Sequence, residues 1–386
     1  MKYIPYGKQS IDKNDIKAVE EVLKSDWITQ GTKIGDFEKA IAKYCGAKYA
    51  VAVSNGTAAL HLTCVITGLK KGDEAITTPI TFLATSNAVL YSGAKPVFAD
   101  VNSKTANIGL EEIKSKITKK TKAILPVHFA GRPCDMPGIY KIARQNKITV
   151  IEDACHALGA EYKYKGTWYK VGSCKHSDMT VLSFHPVKHI TTGEGGAITT
   201  NSRKIYERLQ SLRSHGVYKS DALIKKYGSW YYEMRELGFN YRITDFQCAL
   251  GITQLKKIKN LLKKRRDIAR YYDRSLKGLE YVGLPKLGNS EKHAYHLYPL
   301  AIDFKKYNIT KIEFVNALKK RKILTQVHYR PVYLQSYYNK LGYKRGSCPN
   351  AEEFYKKELS IPMYSSMSDN NVVYVADTLK NILKKK

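Results

Sequence analysis

Residues 180–200, which read TVLSFHPVKHITTGEGGAITT, decide how the rest of this chain is interpreted. The apolar pattern at 178–184 predicts a strand that breaks at Pro186, and the pattern at 195–200 predicts a second strand. Lys188 stands between them, beside a glycine-rich turn in which the backbone can approach a ligand closely. This stretch therefore predicts a loop that presents Lys188 at the edge of a sheet.

An acidic pair ends another predicted strand upstream of this lysine. Residues 148–153 resemble a buried strand, and they end on Glu152 and Asp153. Pyridoxal phosphate (PLP) chemistry needs a lysine that forms a Schiff base and an acid that keeps the pyridine nitrogen protonated. Most lysines are only solvated surface charges, so the context of Lys188 has to carry this hypothesis. Burial there is expected to lower the lysine pKa and make the amine nucleophilic.

Strands and helices alternate through the first half of the chain. Helical patterns near 81–92, 110–117 and 135–146 separate the strands, as in a parallel sheet covered on both faces. The link between the last two strands is too short for a helical crossover, so one of them is expected to run antiparallel. The sequence thus predicts an α/β protein with a seven-stranded, mostly parallel sheet, with strands at 51–53, 74–79, 96–101, 122–128, 148–153, 178–184 and 195–200.

The segment Ser54–Leu60, SNGTAAL, follows the first strand and opens a helix. The free N–H groups and the dipole of a helix N-terminus favour an anion, and Thr57 adds a hydroxyl. Ser and Thr are also ordinary helix caps, so a purely structural role is equally compatible with this segment. Ligands of such sheets bind at the carboxyl ends of strands, where Ser54, Asp153 and Ser183 are expected.

A second, smaller domain is expected toward the C-terminus. Thr244 and Gln247 have the spacing of a capping box that opens a long helix running beyond residue 255. We expect this helix to lead from a large domain, residues 1–250, to a smaller α+β domain, residues 251–386.

Composition limits the classes of function. The formal net charge is +31, which favours anionic partners, but the lysines are dispersed and no zinc-finger or RRM signature is present. A regulator or nucleic-acid binder on the same scaffold is therefore the non-enzymatic alternative, and we expect no nucleic-acid partner. The opening residues lack the apolar core of a signal peptide, no run of about 18 apolar residues is present, and the 7 cysteines are scattered. We expect a cytoplasmic protein without a membrane partner.

A metal site is the other chemical alternative. His185 and His189 have an i, i+4 spacing, but Pro186 between them argues against a helix and no carboxylate completes a ligand set. We therefore expect no metal.

Several longer blocks, in order along nearly the whole chain, resemble one family: WITQG, SNGTAALHL, EDACHALGA, SFHPVKHITTGEGGAI, GFNYRITDFQCALG, HLYPL, VHYRPV and ELSIPMY. They are similar to the PLP-dependent nucleotide-sugar aminotransferases of the DegT/StrS type. This resemblance implies the type I PLP transferase fold of aspartate aminotransferase, PLP as cofactor and a homodimer with shared active sites.

The resemblance also implies roles for individual residues. Lys188 matches the Schiff-base lysine and Asp153 the partner of the pyridine nitrogen. The other expected cofactor contacts are Thr57, Ala58 and Ser183 on the phosphate, Phe82 and His156 at the ring, and Asn240 from the neighbouring subunit. Residues expected near the nucleotide sugar are Tyr6, Trp27, Thr29, Arg242, His328 and Tyr329.

The lysine block is most similar to a branch that aminates C4 of a UDP-linked 4-keto-6-deoxy-N-acetylhexose for pseudaminic acid synthesis. L-glutamate is the implied amino donor. A C4 aminotransferase of another pathway, of the bacillosamine type or acting on a dTDP-sugar, is the enzymatic alternative. A sugar dehydratase on the same scaffold is disfavoured, because that branch replaces the lysine by histidine whereas Lys188 is intact.

Overall fold

The computed structural model describes residues 2–384. Its α-helices, α1 to α14, are Lys13–Leu23, Thr32–Cys45, Gly56–Thr67, Ala84–Tyr91, Leu110–Lys116, Met136–Gln145, Arg203–Arg213, Asp221–Tyr227, Asp245–Lys256, Ile258–Ser275, Lys311–Lys320, Ser336–Lys340, Pro349–Lys357 and Asp369–Lys384. Its strands, β1 to β15, are Tyr49–Val53, Glu74–Thr77, Lys95–Phe98, Thr121–Leu125, Thr149–Asp153, Glu161–Tyr164, Thr167–Lys170, Met179–Ser183, Gly196–Thr200, Val217–Tyr218, Glu233–Met234, Val282–Gly283, Glu291–Lys292, Tyr298–Ile302 and Glu358–Ile361. Short 3₁₀ turns lie at Phe129–Gly131 and Val332–Leu334.

The central sheet has seven strands in the order β1-β9-β8-β5-β4-β2-β3. β9 runs antiparallel to both of its neighbours, and the remaining strands run parallel to one another. The prediction of a seven-stranded, mostly parallel sheet is confirmed, including the single reversed strand. Several strands end earlier than the apolar patterns predicted. Pro79 and His128, for example, belong to the loops that follow their strands.

Both faces of this sheet are buried, as its nearly continuous apolar strands require. Successive residues alternate between two cores: Leu182 packs with Phe37, Ile139 and other residues of α2 and α6. Val181 packs on the opposite face with Leu60 and its neighbours from α3. The sheet is therefore a fixed frame, and its carboxyl edge is where polar groups can face a ligand.

The expected long helix after Thr244 is interrupted. The capping box of Thr244 and Gln247 is present. However, Lys257 leaves helical geometry, with φ −101° and ψ 5°, so that α9 ends and α10 begins there. The Lys257 ammonium bonds Asp12 and Asp15 of α1, each at 2.5 Å, which ties the break to the N-terminal helix. An apolar stripe does not reveal such a contact, and the expectation of one continuous helix was wrong.

The C-terminal part is an α+β unit. Strands β12, β14 and β15 form an antiparallel sheet, against which α10, α11 and α14 contribute Tyr272, Phe314 and Leu379 to a separate core. Ile4 from the other end of the chain is buried in this same core and pairs with Ile323. The division at residues 250 and 251 stays a prediction, but the first residues of the chain pack with the small unit.

Two further features bear on the sequence analysis. A hairpin of β6 and β7, paired with β13, was not predicted from the lysine- and tyrosine-rich segment that forms it. Within residues 2–384, none of the helices has the length and apolarity needed to cross a bilayer.

Candidate active site

A cavity of about 920 Å³ opens at the carboxyl edge of the central sheet. Its size lies within the usual range for small-molecule sites. The predicted residues that line it are Tyr6, Thr57, Ala58, Phe82, Asp153, His156, Ser183, Lys188, His328 and Tyr329. The chain thus brings together residues from six separate stretches of sequence around one space.

Lys188 lies in the loop between β8 and β9 and is half-buried. Its Nζ atom is 3.4 Å from Nε2 of His296. Burial lowers the pKa of Lys188, while the nearby Cys155 and Asp153 act in the opposite direction. A larger fraction of this amine is therefore neutral, and nucleophilic, than for a lysine in water.

Asp153 ends β5 and is only 4% exposed. Its Oδ2 accepts a hydrogen bond from the Thr85 hydroxyl at 2.7 Å, and its Oδ1 accepts one from the Cys155 amide at 3.1 Å. Among the described residues it has hydrogen-bond donors but no ion-pair partner. A buried carboxylate in that situation is suited to a cationic ligand group, because an unpaired buried charge is costly.

The loop from β1 to α3 forms the anion-binding end of the cavity. The Asn55 side chain accepts from the Ala58 amide at 2.8 Å and caps α3, whose first turn points toward Ser183. The fit is close: a Cβ on Gly56 would lie 3.1 Å from the Cβ of Ser183, and one on Gly196 would lie 2.6 Å from the Asn55 carbonyl. Glycine at these positions lets the capping loop rest against β8 and β9.

A group of histidine and tyrosine rings forms the floor of the cavity. The Tyr329 hydroxyl is 3.2 Å from Nε2 of His156, and the His156 and His296 ring centroids are 4.4 Å apart. Burial lowers the pKa of both imidazoles well below the ordinary value, with Lys188 acting in the same direction. Nδ1 of each ring is buried without a hydrogen-bond partner among the described atoms.

Four predicted residues lie outside the cavity lining of their own chain: Asn240, Trp27, Thr29 and Arg242. Trp27 is 67% exposed and Asn240 is exposed as well. Phe82 lines the cavity but is 59% exposed. The roles expected for Trp27, Thr29, Arg242 and Asn240 therefore stay predictions, since within one chain these side chains do not line the cavity.

Sequence reasoning missed two residues near Lys188: His296, which contacts its amine, and Arg265, which supports His296. Arg265 of α10 is 1% exposed and donates to the carbonyls of Tyr295, His296 and Met363 at 3.1, 3.2 and 2.9 Å. It therefore holds the segment that brings His296 to Lys188. Arg265 lies in the basic run KKRRDIAR, and the signal in the sequence that indicates its burial is its position three residues after Leu262 on the apolar stripe.

Among residues 2–384 there is no group of three or more His, Cys, Asp or Glu side chains arranged to hold a metal ion.

Comparison with known proteins agrees with this geometry. The sequence pattern of the DegT/DnrJ/EryC1/StrS aminotransferase family matches residues 9–380. An uncharacterized protein of Methanocaldococcus jannaschii, MJ1066, is 46% identical over 385 residues, which cover 99% of this chain and 98% of that protein. The UDP-4-amino-4,6-dideoxy-N-acetyl-beta-L-altrosamine transaminase of Campylobacter jejuni is 40% identical over 386 residues, with 99% and 98% covered. Helicobacter pylori PseC, an aminotransferase involved in the biosynthesis of pseudoaminic acid, superposes over 100% of both chains, with a TM-score of 0.91 and 35% identity.

The fold and the site define a PLP-dependent sugar aminotransferase. The chain belongs to the DegT/DnrJ/EryC1/StrS aminotransferase family.

The residues around the cavity fit PLP. A buried carboxylate without an ion-pair partner, a half-buried lysine with a lowered pKa and a helix N-terminus meet in one space. These are the donors and acceptors that a pyridine nitrogen, an aldehyde and a phosphate require.

Proposed function

We propose that this enzyme transfers an amino group to C4 of a UDP-linked 4-keto-6-deoxy-N-acetylhexose. L-glutamate is the amino donor and a UDP-4-amino-4,6-dideoxy sugar of pseudaminic acid synthesis is the product. The observation that carries the proposal is the convergence of Lys188, Asp153 and the N-terminus of α3 on one cavity large enough for more than the cofactor. Support for the sugar comes from the Campylobacter transaminase, which is similar over nearly the whole length of the chain.

In this proposal Lys188 is the catalytic residue. PLP, when bound, supplies an electron sink for the charge that develops when the amine substrate loses a proton. Lys188 would hold the cofactor through its amine, and as a free amine it would take the proton from the amine-bearing carbon of the donor and, in the second half of the reaction, deliver a proton to C4 of the sugar. Its lowered pKa suits it to both roles, since a fully protonated amine can neither attack nor accept a proton.

The other cofactor residues bind and orient. Asp153 holds the protonated ring nitrogen, with its carboxylate fixed by Thr85 and the Cys155 amide. Phe82 and His156 cover the ring, and the phosphate is bound by Thr57, Ala58 and Ser183. Tyr6, His328 and Tyr329 face the part of the cavity that is left for the nucleotide sugar.

The proposal includes a homodimer in which Asn240 of each subunit completes the partner's phosphate site. Asn240 is exposed on its own chain, and the segment that precedes it in sequence exposes Trp230 and Leu237, each by 78%. Trp27, Thr29 and Arg242 are assigned to the same subunit boundary on the sugar side. The enzyme is placed in the cytoplasm, where UDP-sugars and glutamate are available.

The test is an absorbance spectrum of the purified protein, recorded with and without L-glutamate. Addition of glutamate should convert the visible band of cofactor attached to Lys188 into the near-ultraviolet band of its aminated form. Mass spectrometry of a UDP-4-keto-6-deoxy-N-acetylhexose incubated with the aminated enzyme should then detect the 4-amino product. The corresponding dTDP-sugar serves as the matched control.

Two results would contradict parts of the proposal. A protein that stays colourless after incubation with PLP would refute the role of Lys188. Turnover of the dTDP-sugar in preference to the UDP-sugar would support the aminotransferase activity but refute the UDP-sugar as the substrate.

A further inference from the structure

His328 faces the cavity from above a pair of buried polar side chains. Glu358 and Ser360 lie on β15, and residues two apart on a strand point to the same face. Both are 0% exposed. The backbone of Ser360 pairs with Gln326 in both directions, at 2.8 and 3.1 Å, which brings His328 over this face.

The three side chains form a continuous chain of hydrogen bonds. The His328 amide donates to Oε2 of Glu358 at 2.7 Å, and the Ser360 hydroxyl lies 2.6 Å from Oε1. Nδ1 of His328 lies 2.9 Å from the same hydroxyl. Because a hydroxyl has only one proton, it donates to one of these two neighbours and accepts from the other.

With Glu358 ionised, the direction of the chain is determined. The carboxylate can only accept, so Ser360 donates to Glu358 and accepts from His328. His328 then carries its proton on Nδ1, because burial lowers the pKa of its imidazole to about 3 and keeps the ring neutral. Nε2 is left as a hydrogen-bond acceptor.

Protonation of Glu358 reverses the two bonds of the Ser360 hydroxyl, to Glu358 and to His328. Oε2 still accepts from the His328 amide, so the acid proton lies on Oε1 and is donated to Ser360. Ser360 then donates to Nδ1, and Nε2 of His328 carries the ring proton as a donor. Burial raises the pKa of Glu358 to about 8, with Ser360, the His328 amide and Lys311 opposing the shift. The groups around it are Lys311 of α11, His328 and Tyr329.

Nε2 is the end of this chain that faces the ligand. His328 lines the cavity, its ring is 5.6 Å from that of Tyr6, and within residues 2–384 its Nε2 has no hydrogen-bond partner. Whatever polar group of the substrate reaches this atom meets either a donor or an acceptor, depending on the state of Glu358.

We infer that Glu358 is a positioning residue that acts through Ser360 to decide which ring nitrogen of His328 carries the proton. It thereby sets the hydrogen-bonding polarity that the enzyme offers to its nucleotide sugar. This inference rests on the proposed function for the identity of the ligand, but the placement of the proton does not depend on the ligand.

The variant Glu358→Gln distinguishes the arrangement with ionised Glu358 from the arrangement with protonated Glu358. The amide oxygen of glutamine has to accept from the His328 amide, so its NH₂ group is left to donate to Ser360. The variant therefore fixes the arrangement of the protonated acid at every pH. Glu353→Gln, an identical change at an exposed position of α13, is the matched control.

The first measurement is nitrogen NMR of protein labelled with ¹⁵N-histidine, with His328 assigned from the signal that is lost in His328→Gln. Well above the raised pKa of Glu358, the wild type and Glu353→Gln should carry the proton on Nδ1 and Glu358→Gln should carry it on Nε2. Well below that pKa, all three should carry it on Nε2. The same tautomer in wild type and Glu358→Gln at high pH would overturn the inference.

The second measurement is the KM for the UDP-sugar across the same pH range. A hydrogen bond gained or lost at Nε2 should change KM by about 3- to 10-fold in the wild type, and the profile of Glu358→Gln should lack this change. An unchanged KM, despite a change of tautomer, would refute the contact between His328 and the sugar. A change of tautomer in an enzyme that turns over no UDP-sugar would instead refute the proposed function and leave the placement of the proton intact.

Discussion

Two walls of the same cavity are built in different ways. The sheet wall, which comprises Thr57, Asp153, Ser183 and Lys188, comes from the carboxyl ends of strands β5 and β8 and from the segments that follow β1 and β8. The small-domain wall, which comprises Tyr6 and residues 326–330, comes from opposite ends of the chain and packs on the C-terminal sheet. The sheet thus holds the groups that we propose for the cofactor, whereas the groups that we propose for the sugar are anchored on the C-terminal sheet. Changes in the first wall should affect cofactor binding and kcat, and changes in the second should affect KM for the sugar.

The strongest test of the sheet wall is Lys188→Ala. Loss of the nucleophile and proton carrier should lower kcat by about 10³-fold or more. Intact-mass analysis after borohydride reduction should show attached cofactor in the wild type and none in the variant. Lys204→Ala, an exposed lysine of α7, is the control and should keep both properties. Attachment that persists in Lys188→Ala would assign the chemistry to another lysine.

Asp153→Asn tests the buried charge of the same wall. Removing one partner of a buried ion pair costs about 3–5 kcal/mol, so PLP affinity should fall by about 10²- to 4 × 10³-fold. Thr85→Val removes only one hydrogen bond to this carboxylate and should cost about 3- to 10-fold. Equal losses in the two variants, measured by PLP titration, would argue against a charged ring nitrogen.

Asn240 tests whether the sheet wall is complete within one chain. Asn240→Ala should lower activity by about 10-fold, the effect of one hydrogen bond to a charged group. When Asn240→Ala and Lys188→Ala subunits are mixed and exchanged, about a quarter of the sites should combine both native residues and recover activity. Mixtures whose activity stays at the mean of the two separate variants would show that each site belongs to one subunit.

The smallest expected effect belongs to the small-domain wall. Tyr6→Phe should raise KM for the UDP-sugar by about 3- to 10-fold and leave the cofactor spectrum and KM for glutamate unchanged. Tyr3→Phe, at a residue that is 56% exposed, is the control. A loss of PLP affinity in Tyr6→Phe would mean that the two walls are not functionally separate.

The sheet wall was predictable from sequence because its signals are local. An apolar strand that ends on Asp153, an Asn-Gly turn before a helix and a proline- and glycine-bounded lysine each place a side chain at the same edge of a parallel sheet. The resemblance to a family added Phe82, His156 and the residues of the small-domain wall.

The features that the sequence did not predict depend on contacts between distant parts of the chain. Arg265 binds carbonyls about 30 and 98 positions away in sequence, and its surroundings resemble a solvated basic run. The break at Lys257 depends on acids in α1. Glu358 and Ser360 look like ordinary alternating strand residues until the pairing with Gln326 brings His328 over them. No periodicity carries that information.

The reversed strand β9 has a consequence for how the enzyme comes apart. Ser183 at the end of β8 pairs directly with Gly196 at the start of β9, so the loop that carries Lys188 is anchored at both ends in the middle of the sheet. Such a loop cannot swing away by fraying at one end, and opening it requires rupture of central strands. Amide hydrogen exchange in β8 and β9 should therefore proceed only through global unfolding. The loop that carries Lys188 should therefore open only when the most stable part of the fold unfolds.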